Sequence, residues 1–539
     1  MSPASSSARP PGLVESAGVT VAATATSRIL GLARDQVLAA LFGAGNEMDA
    51  FAVAFRIPNL VRDLFAEGAM SAAFVPAFTY HLTRRGKEAA FRLGNNVLNA
   101  LLIMTVLLVV AGLVFTRQIV SLYAGNFASI PGKLELTIQL TRVMLPFLIT
   151  VVVATVAMGM LNSLHHYFVP AVSTAIFNLA TIGCAFALVP IMLSLDLPGI
   201  MAIAVGVLLG GIGLVLIQWP PLHREGFRYS TAFDARDPAF REVLMLMGPG
   251  TIGLAATQIN ILVSTLLATS EGTGAVSWLT YAFRIMSLPI GLFGVSIATA
   301  ALPAMSRHAA AGDLAGIRET LSRALGMTFL LNVPATLGLL ALSQPIVELL
   351  FERGRFTPAD TRATAAALQL YAVGLIGYSA ARIATPTFYA LGQSRTAVAV
   401  SIAAIAGNVG LSMALVGWMG FRGLALATAI AALGNGGLSL LLLRRRLGAI
   451  DGTRLLVLFA KVLAAALVMA VAARAIHYGM TGLLPGRPVL MQVMRLGVAI
   501  GGGLAVLAAA AKLLGIDQFN DLVTWAAGRL TRDRGHESC

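Results

Sequence analysis

Apolar residues fall in long unbroken runs that recur from about residue 92 to residue 514. NALLIMTVLLVVAGLVF, Asn99 to Phe115, holds no charged side chain. A helix needs roughly 20 such residues to cross about 30 Å of hydrocarbon. Membrane strands would instead give roughly ten-residue segments of alternating polarity, and the runs here do not alternate. Helices are therefore the predicted elements, because each satisfies its own backbone hydrogen bonds in lipid. The polar punctuation between runs predicts fourteen spans: 19–42, 49–78, 92–116, 136–162, 168–190, 198–220, 240–269, 275–304, 320–343, 364–391, 396–418, 421–443, 454–477 and 489–514. The first, second and eighth are less apolar than the rest, and a hydropathy window under-reads them.

Two copies of one pattern lie within these spans. AFRIPNLVRDLF (Ala54 to Phe65) and AFRIMSLPIGLF (Ala282 to Phe293) share Ala, Phe, Arg, Ile, Leu, Leu and Phe at a separation of 228 residues. The same separation relates AVSTA (Ala171 to Ala175) to AVSIA (Ala399 to Ala403), while Pro76 and Pro303 match with a one-residue slip. Six spans per copy is an even number, so both copies enter the membrane in the same direction. The expectation is an all-α polytopic membrane protein of two six-helix lobes, related by a pseudo-two-fold axis along the membrane normal. The lobes cover 19–220 and 240–446, joined by a cytoplasmic loop at 221–239. Two further helices lie within 447–514, and 1–18 and 515–539 are a disordered leader and a tail.

Basic residues orient the chain. Arg84, Arg85 and Lys87; Arg224, Arg228 and Arg236; Arg307 and Arg318; Arg395; and Arg444, Arg445, Arg446 and Arg454 all fall in one set of loops. The alternate set is sparser, with FERGRFTPADTR (Phe351 to Arg362) as its main basic segment. The positive-inside rule makes the first set cytoplasmic, which puts both termini on the cytoplasmic side.

Charges also occur inside the spans. Asp49, Arg56, Asp63 and Glu67 are separated by seven, seven and four residues. At about 100° per residue they share a face within roughly 40°. Arg28 and Asp35 share a face of the first span, with Arg34 beside Asp35; Arg62, Arg284 and Arg382 add three more cations. A charge facing hydrocarbon costs at least about 2.5–3.5 kcal/mol, so the stripe is expected to line a water-filled interior. Arginine suits an anionic or phosphate-bearing substrate, because its planar fork forms paired hydrogen bonds. The competing reading is structural: Arg34 with Asp35 and Arg56 with Glu67 neutralise one another between helices, long side chains near helix ends reach the headgroups, and Asp49 caps the second helix. Pro289, soon after Arg284, makes either a movable joint or a static bend. The small-residue pattern GVLLG (Gly206 to Gly210) matches close helix packing.

Composition agrees with a membrane protein: 57% of the 539 residues are hydrophobic and 12% charged, against about a quarter charged in soluble domains. The formal charge of +14 follows from the loop bias without nucleic acid as a partner. Cys184 and Cys539 suggest neither disulfide nor metal, and the seven histidines form no ligand pattern. No nucleotide-binding loop or hydrolytic constellation is present, so no cofactor is expected. Any energy comes from an ion gradient, the membrane potential or a partner.

SRILGLARD (Ser27 to Asp35), FGAGNEMDAFAVAFRIPNLVRDLFAEGAMSAAFVP (Phe42 to Pro76) and SLPIGLFGVSIATAALP (Ser287 to Pro303) resemble the MurJ/MviN family of bacterial lipid II flippases, within the multidrug/oligosaccharidyl-lipid/polysaccharide exporter superfamily. The resemblance covers residues 19 to 514. It implies fourteen helices in two lobes around a V-shaped cavity, the last two helices forming a groove for a lipid tail. It further implies transfer of the lipid-linked peptidoglycan precursor from the cytoplasmic to the periplasmic leaflet of the inner membrane by alternating access. It carries substrate-binding roles to Arg28, Arg34, Arg62 and Arg284, and acidic or gating roles to Asp35, Asp49 and Glu67. Arg56, Asp63 and Arg382 stand as further cavity candidates, and Pro289 as a hinge. The implied partners are lipid II, membrane phospholipids and cell-wall synthesis or division proteins, with the chain acting as a monomer and converting no substrate chemically. Two positions depart from the family pattern: Asp63 follows Arg62 where many relatives have a second arginine, and Ser287 stands where many have an acid. The alternative is an exporter of another lipid-linked oligosaccharide or of drugs. The excess of arginine over acid in the spans favours an anionic headgroup.

Overall fold

The computed structural model describes residues 13–63, 73–448, 451–486 and 488–519, and for 13–25 and 247–256 the backbone alone. Every regular element among the described residues is helical. Contacts divide the chain into two units, Met1–Gly274 and Ala275–Cys539.

The first unit contains α1 (Leu13–Phe42), α2 (Asn46–Asp63), α3 (Val75–Val114), α4 (Thr116–Ala124), a 3-10 turn (Gly125–Ser129), α5 (Lys133–Met144), α6 (Phe147–Ser163), α7 (Phe168–Ser194), α8 (Met201–Arg224) and α9 (Pro238–Thr269). Its core joins Phe74, Phe78, Leu98, Met160, Phe227 and Val243. By contact α9 packs on α3 and α4. The second unit contains α10 (Ala275–Pro289), a π-helical turn (Ile290–Gly294), α11 (Val295–Ala310), α12 (Leu314–Phe351), α13 (Pro358–Val373), α14 (Leu375–Ala390), α15 (Ser394–Met419), α16 (Phe421–Leu447), α17 (Gly452–Leu483) and α18 (Val489–Leu513). Leu330, Val333, Leu458, Val462 and Ala511 seat α17 and α18 against α12.

Nine stretches of the described residues are long and apolar enough to span a bilayer: α3, α7, α8, α10 with α11, α12, α15, α16, α17 and α18. The bent pairs α5–α6 and α13–α14 raise the number to eleven. The expected fourteen would also include α1, α2 and α9. The first two carry the intramembrane charges, and α9 contributes a shorter apolar segment, Thr257–Thr269. Large apolar residues on the spans face outward, among them Leu107, Val110 and Val114 on α3, Phe186 and Ile191 on α7, and Leu467 and Val471 on α17. Helices apolar on their outer faces as well as their inner ones belong in lipid.

The internal repeat reappears as geometry. The two bent pairs turn by 40° and 42°, and Phe147 and Leu375, which open their second halves, are 228 residues apart. Gly86 and Gly312, with φ of 84° and 68°, turn the chain at nearly matching points, one inside α3 and the other between α11 and α12. Such positive φ costs glycine no steric clash. Residues 79–91, expected as a loop, are instead helical on both sides of a break at Gly86, whose φ of 84° and ψ of 176° are not helical. Hydroxyl bonds from Thr79 to the Val75 carbonyl and from Thr83 to the Thr79 carbonyl line that stretch, and Glu88 and Arg92 pair four residues apart.

The 227–237 connection is strapped to α3 by three buried asparagines. Asn95 donates to the Arg228 carbonyl and accepts from Ser230 N. Asn96 accepts from Asp234 N and donates to the Asp237 carboxylate. Asn99 donates to the Ser230 and Ala232 carbonyls and accepts from the Tyr229 hydroxyl. Next to this strap, Glu225 takes Lys87 Nζ at 2.7 Å and His166 Nε2 at 2.8 Å. The Lys87 bond foremost, and that of His166, hold the Glu225 carboxyl below its ordinary value of 4.5.

Glycine brings helices into backbone contact. In the second unit a methyl group on Gly377 would overlap the Ala432 carbonyl, and one on Gly436 would lie 2.7 Å from the Gly377 oxygen, so α14 and α16 touch main chain to main chain. In the first unit a methyl group on Gly210 would lie 2.7 Å from the Phe177 ring, so GVLLG does seat α8 on α7. Gly377→Ala is expected to cost about 1–3 kcal/mol or more, because backbone cannot step aside. Gly407→Ala, with open space around it, should leave the thermal midpoint of the detergent-purified protein unchanged. The Glu225 clamp predicts an acid limb. Its folded value lies below its unfolded one, so its contribution is complete above about pH 4.5 and is lost as pH falls through the lowered folded value. Glu225→Gln should lower the midpoint at pH 7 and flatten its decline between pH 5 and pH 3.

Candidate functional site

The charges inside the spans fall into three physical classes. The first is exposed cations. Arg28 on α1 is exposed and has no hydrogen-bond or ion-pair partner among the described residues. Its neighbour Ser27 is buried, and the Ser27 carbonyl accepts from Asn178 Nδ2 at 3.2 Å, which fixes this level of α1 on α7. In the second unit Arg382 on α14 is likewise exposed and unpartnered among the described residues. Arg284 on α10 is exposed but has an interaction of its own. Ser287, one turn later, returns its hydroxyl to the Arg284 carbonyl at 2.7 Å. The hydroxyl at Ser287 is thus satisfied locally on its own helix.

The second class is neighbouring pairs. Arg34 Nε and Nη2 both donate to Asp35 Oδ1, at 3.2 and 2.8 Å. Arg62 repeats the geometry on Asp63 Oδ1, at 3.0 and 2.8 Å. Asp35 is buried and Arg34 nearly so, whereas Arg62 and Asp63 are half exposed. Asp63, the second departure from the family pattern, therefore offsets the arginine it follows.

The third class is a dehydrated ion pair. Asp49 and Lys133 have fully buried side chains, with Lys133 Nζ 2.9 Å from Asp49 Oδ2. The same oxygen accepts from Gly274 N at 2.7 Å. The ammonium also stands 4.1 Å from the centre of the Phe127 ring, an additional favourable contact for a cation. Beside it the Thr273 hydroxyl donates to Asn46 Oδ1 at 2.9 Å. Lys133 lies between the predicted spans 92–116 and 136–162, yet it is the first residue of α5. One signal pointed there: Lys133, Thr137 and Thr141 recur every four residues and all three are buried on one helix face.

Arg56, one stripe position below Asp49, is half-buried and lies within electrostatic reach of the Tyr123 phenol. Glu67 lies outside the described residues. Pro289 closes α10 and is followed at once by the π-helical turn Ile290–Gly294, a local widening of the helix that often marks functional positions. At the head of α10, Trp278 Nε1 donates to Asp360 Oδ1 at 2.8 Å, and Asp360 also closes the capping box of α13 with Thr357. Among the described residues no cluster of His, Cys, Asp and Glu has metal-site character.

The profile of the family described as Lipid II flippase MurJ matches residues 38–492. Arg284 and Arg382 lie inside that segment and Arg28, Arg34 and Asp35 just before it. Among curated proteins, the probable lipid II flippase MurJ of Vibrio cholerae is 34% identical over 434 residues, covering 78% of this chain and 81% of the relative. The lipid II flippase MurJ of Burkholderia cenocepacia is 33% identical over 427 residues, with 78% and 82% covered. Among solved structures, a lipid II flippase MurJ in an inward closed conformation superposes with a TM-score of 0.74 at 25% identity, over 92% of this chain and 99% of that one. An inward-facing multidrug transporter of the MATE family, in the MOP superfamily, matches with a TM-score of 0.66 at 18% identity, over 81% and 99%, a likeness of fold alone. With its all-helical spans and a profile match over most of its length, the chain belongs to the lipid II flippase MurJ family.

Proposed function

We propose that this chain flips lipid II, the undecaprenyl-pyrophosphate-linked precursor of peptidoglycan, from the cytoplasmic to the periplasmic leaflet of a bacterial inner membrane. The observation that carries the reading, beyond family membership, is the set of exposed arginines on apolar helices. Arg28 and Arg382 lack partners among the described residues, and Arg284 is exposed beside a π-helical turn. A guanidinium in a span is stable only against water or an anion, and a pyrophosphate offers the paired oxygens that its fork fits. Arg34 and Arg62 serve the same head while tethered to Asp35 and Asp63. Asp35, Asp49 and Glu67 are the acidic or gating positions, with Arg56 and Asp63 as auxiliary lining. The substrate is moved by alternating access and leaves chemically unchanged. Pro289 and the π-helical turn supply a bend at which α10 and α11 move. Energy comes from the membrane potential or an ion gradient, since moving one charge through 100 mV supplies about 2.3 kcal/mol. Both termini face the cytoplasm, the chain acts as a monomer, and cell-wall synthesis or division proteins are its protein partners.

The test is restoration of externally accessible lipid II in cells depleted of their own flippase. The parent protein should restore it. Arg28→Ala and Arg284→Ala should each reach the membrane at parental level yet transport roughly ten- to a hundredfold less, the loss of about 1.5–3 kcal/mol carried by a charged hydrogen bond. Lysine at either position should recover only part, because an ammonium lacks the planar fork. A parent protein that restores nothing, or alanine variants that transport normally, would refute the assignment.

A further inference from the structure

One histidine recurs in both copies of the repeat, in opposite surroundings. His81 stands five residues after Pro76, and His308 five after Pro303. In the second unit His308 is half-exposed, and its Nδ1 lies 2.8 Å from Asp313 Oδ2. The other Asp313 oxygen accepts from Gly316 N at the head of α12. The position in the first unit that matches Asp313 is Gly86, which has no side chain to offer. His81 is 6% exposed and has no hydrogen bond or ion pair among the described residues; Tyr80 meets its ring edge-on. Buried polar groups are as a rule hydrogen-bonded. Here the half-exposed histidine holds a carboxylate and the buried one lacks it.

His81 opens instead on a cavity of about 550 Å3 between α3 and residues 232–239, a volume within the range of small-molecule sites. Arg85, one helical turn on, also lines it; that side chain is exposed and likewise unpartnered among the described residues. Arg92 lines it as well, 3.5 Å from Glu88. Two more carboxylates complete the charged wall. Asp237 is engaged at both oxygens, by Asn96 Nδ2 and Ala239 N, whereas Asp234 accepts from Arg236 N through Oδ1. Three carboxylates in the wall repel a polyanion such as phosphate, while a ligand with one charge of each sign meets both kinds of lining group. We propose that this cavity binds a small zwitterion of the amino-acid or short-peptide class. Its carboxylate is held by His81 and Arg85, as that of Asp313 is held by His308, and its ammonium by Asp234. On the orientation proposed above this face is cytoplasmic, and the site does not depend on what the chain transports.

Titration calorimetry on the full-length protein in detergent tests this, with L-alanyl-L-alanine as the probe. The dipeptide should bind saturably. Its C-terminal amide lacks the carboxylate and its N-acetyl derivative lacks the ammonium, so each should bind at least tenfold more weakly, the loss of one charged hydrogen bond. His81→Phe keeps an aromatic ring at the buried position and should weaken the dipeptide at least tenfold while melting within a few degrees of the parent. Asp234→Asn should do the same. A dipeptide that shows no saturation in the millimolar range would overturn the proposal. So would a blocked derivative that binds as well as the free dipeptide, inorganic phosphate that binds more tightly than it, or unchanged affinity in His81→Phe or Asp234→Asn. If His81→Phe does not fold, Arg85→Gln at its exposed position takes its place, and unchanged affinity there sinks the site equally.

Discussion

A carboxylate and an ammonium that meet without water set the geometry of the first unit. Burying them costs several kcal/mol per ion unless each is closely matched, and the match at Asp49 and Lys133 is made by a 2.9 Å contact, a second donor at Gly274 and the Phe127 face. Since Asp49 must point at α5, the rotation of α2 about its own axis is fixed. Seven residues make nearly two turns of helix, so Arg56 and Asp63 inherit that direction with little drift. Arg56 lies within reach of Tyr123 on α4, the element that precedes α5 on the same side. One pair thus orients the charged stripe of the whole helix.

Duplication explains what the two units share, and the ion pair shows where they have parted. Both units break one long helix by about 40° at equivalent positions, where Pro146 stands in the first copy and Gly374 in the second. The apolar pattern marks each only as a single span, 136–162 and 364–391. Proline cannot donate to the preceding turn, and glycine at the other site allows the close approach of Ala429. Different residues therefore produce the same bend, and residue identity alone would not reveal it. At the junction of the second and fifth helices of each copy the divergence runs the other way, with Asp49 and Lys133 paired in one and Ser277 and Thr361 buried at the matching positions of the other. There the second unit adds Trp278 on Asp360, a neutral donor on a carboxylate that already caps α13.

Long-range periodicity made the helical class, the repeat and the charged positions legible, because each depends on spacing along one segment. Partnerships across segments were hidden. Lys133 lies between two predicted spans, and its partner is 84 positions earlier. The asparagines of α3 interrupted an apolar run without indicating that the 227–237 strap would take up their amides. Boundaries also moved in residues 79–91, where helix runs up to a break at Gly86 from both sides, with Thr79 and Thr83 bonded to backbone before it and Glu88 paired with Arg92 after it.

The arrangement of partners alters the meaning of the arginine excess. Counted along the sequence, six arginines in the spans stand against four acids. In three dimensions two of the six, Arg34 and Arg62, send both donor nitrogens to one oxygen of the next residue. Adjacent helical positions point about 100° apart, so each guanidinium must fold back to do this, and each pair presents a dipole rather than a net charge. Asp49 is likewise spent on Lys133, which removes an acid from the tally and a cation from the loops. Of the six, Arg28 and Arg382, one in each unit, have no hydrogen-bond or ion-pair partner among the described residues. The paired arginines can turn to another anion only by giving up Asp35 or Asp63. An anion that met Arg34 or Arg62 would have to break an existing contact, whereas one that met Arg28 would break none, so the number of arginines along the chain overstates how many stand open.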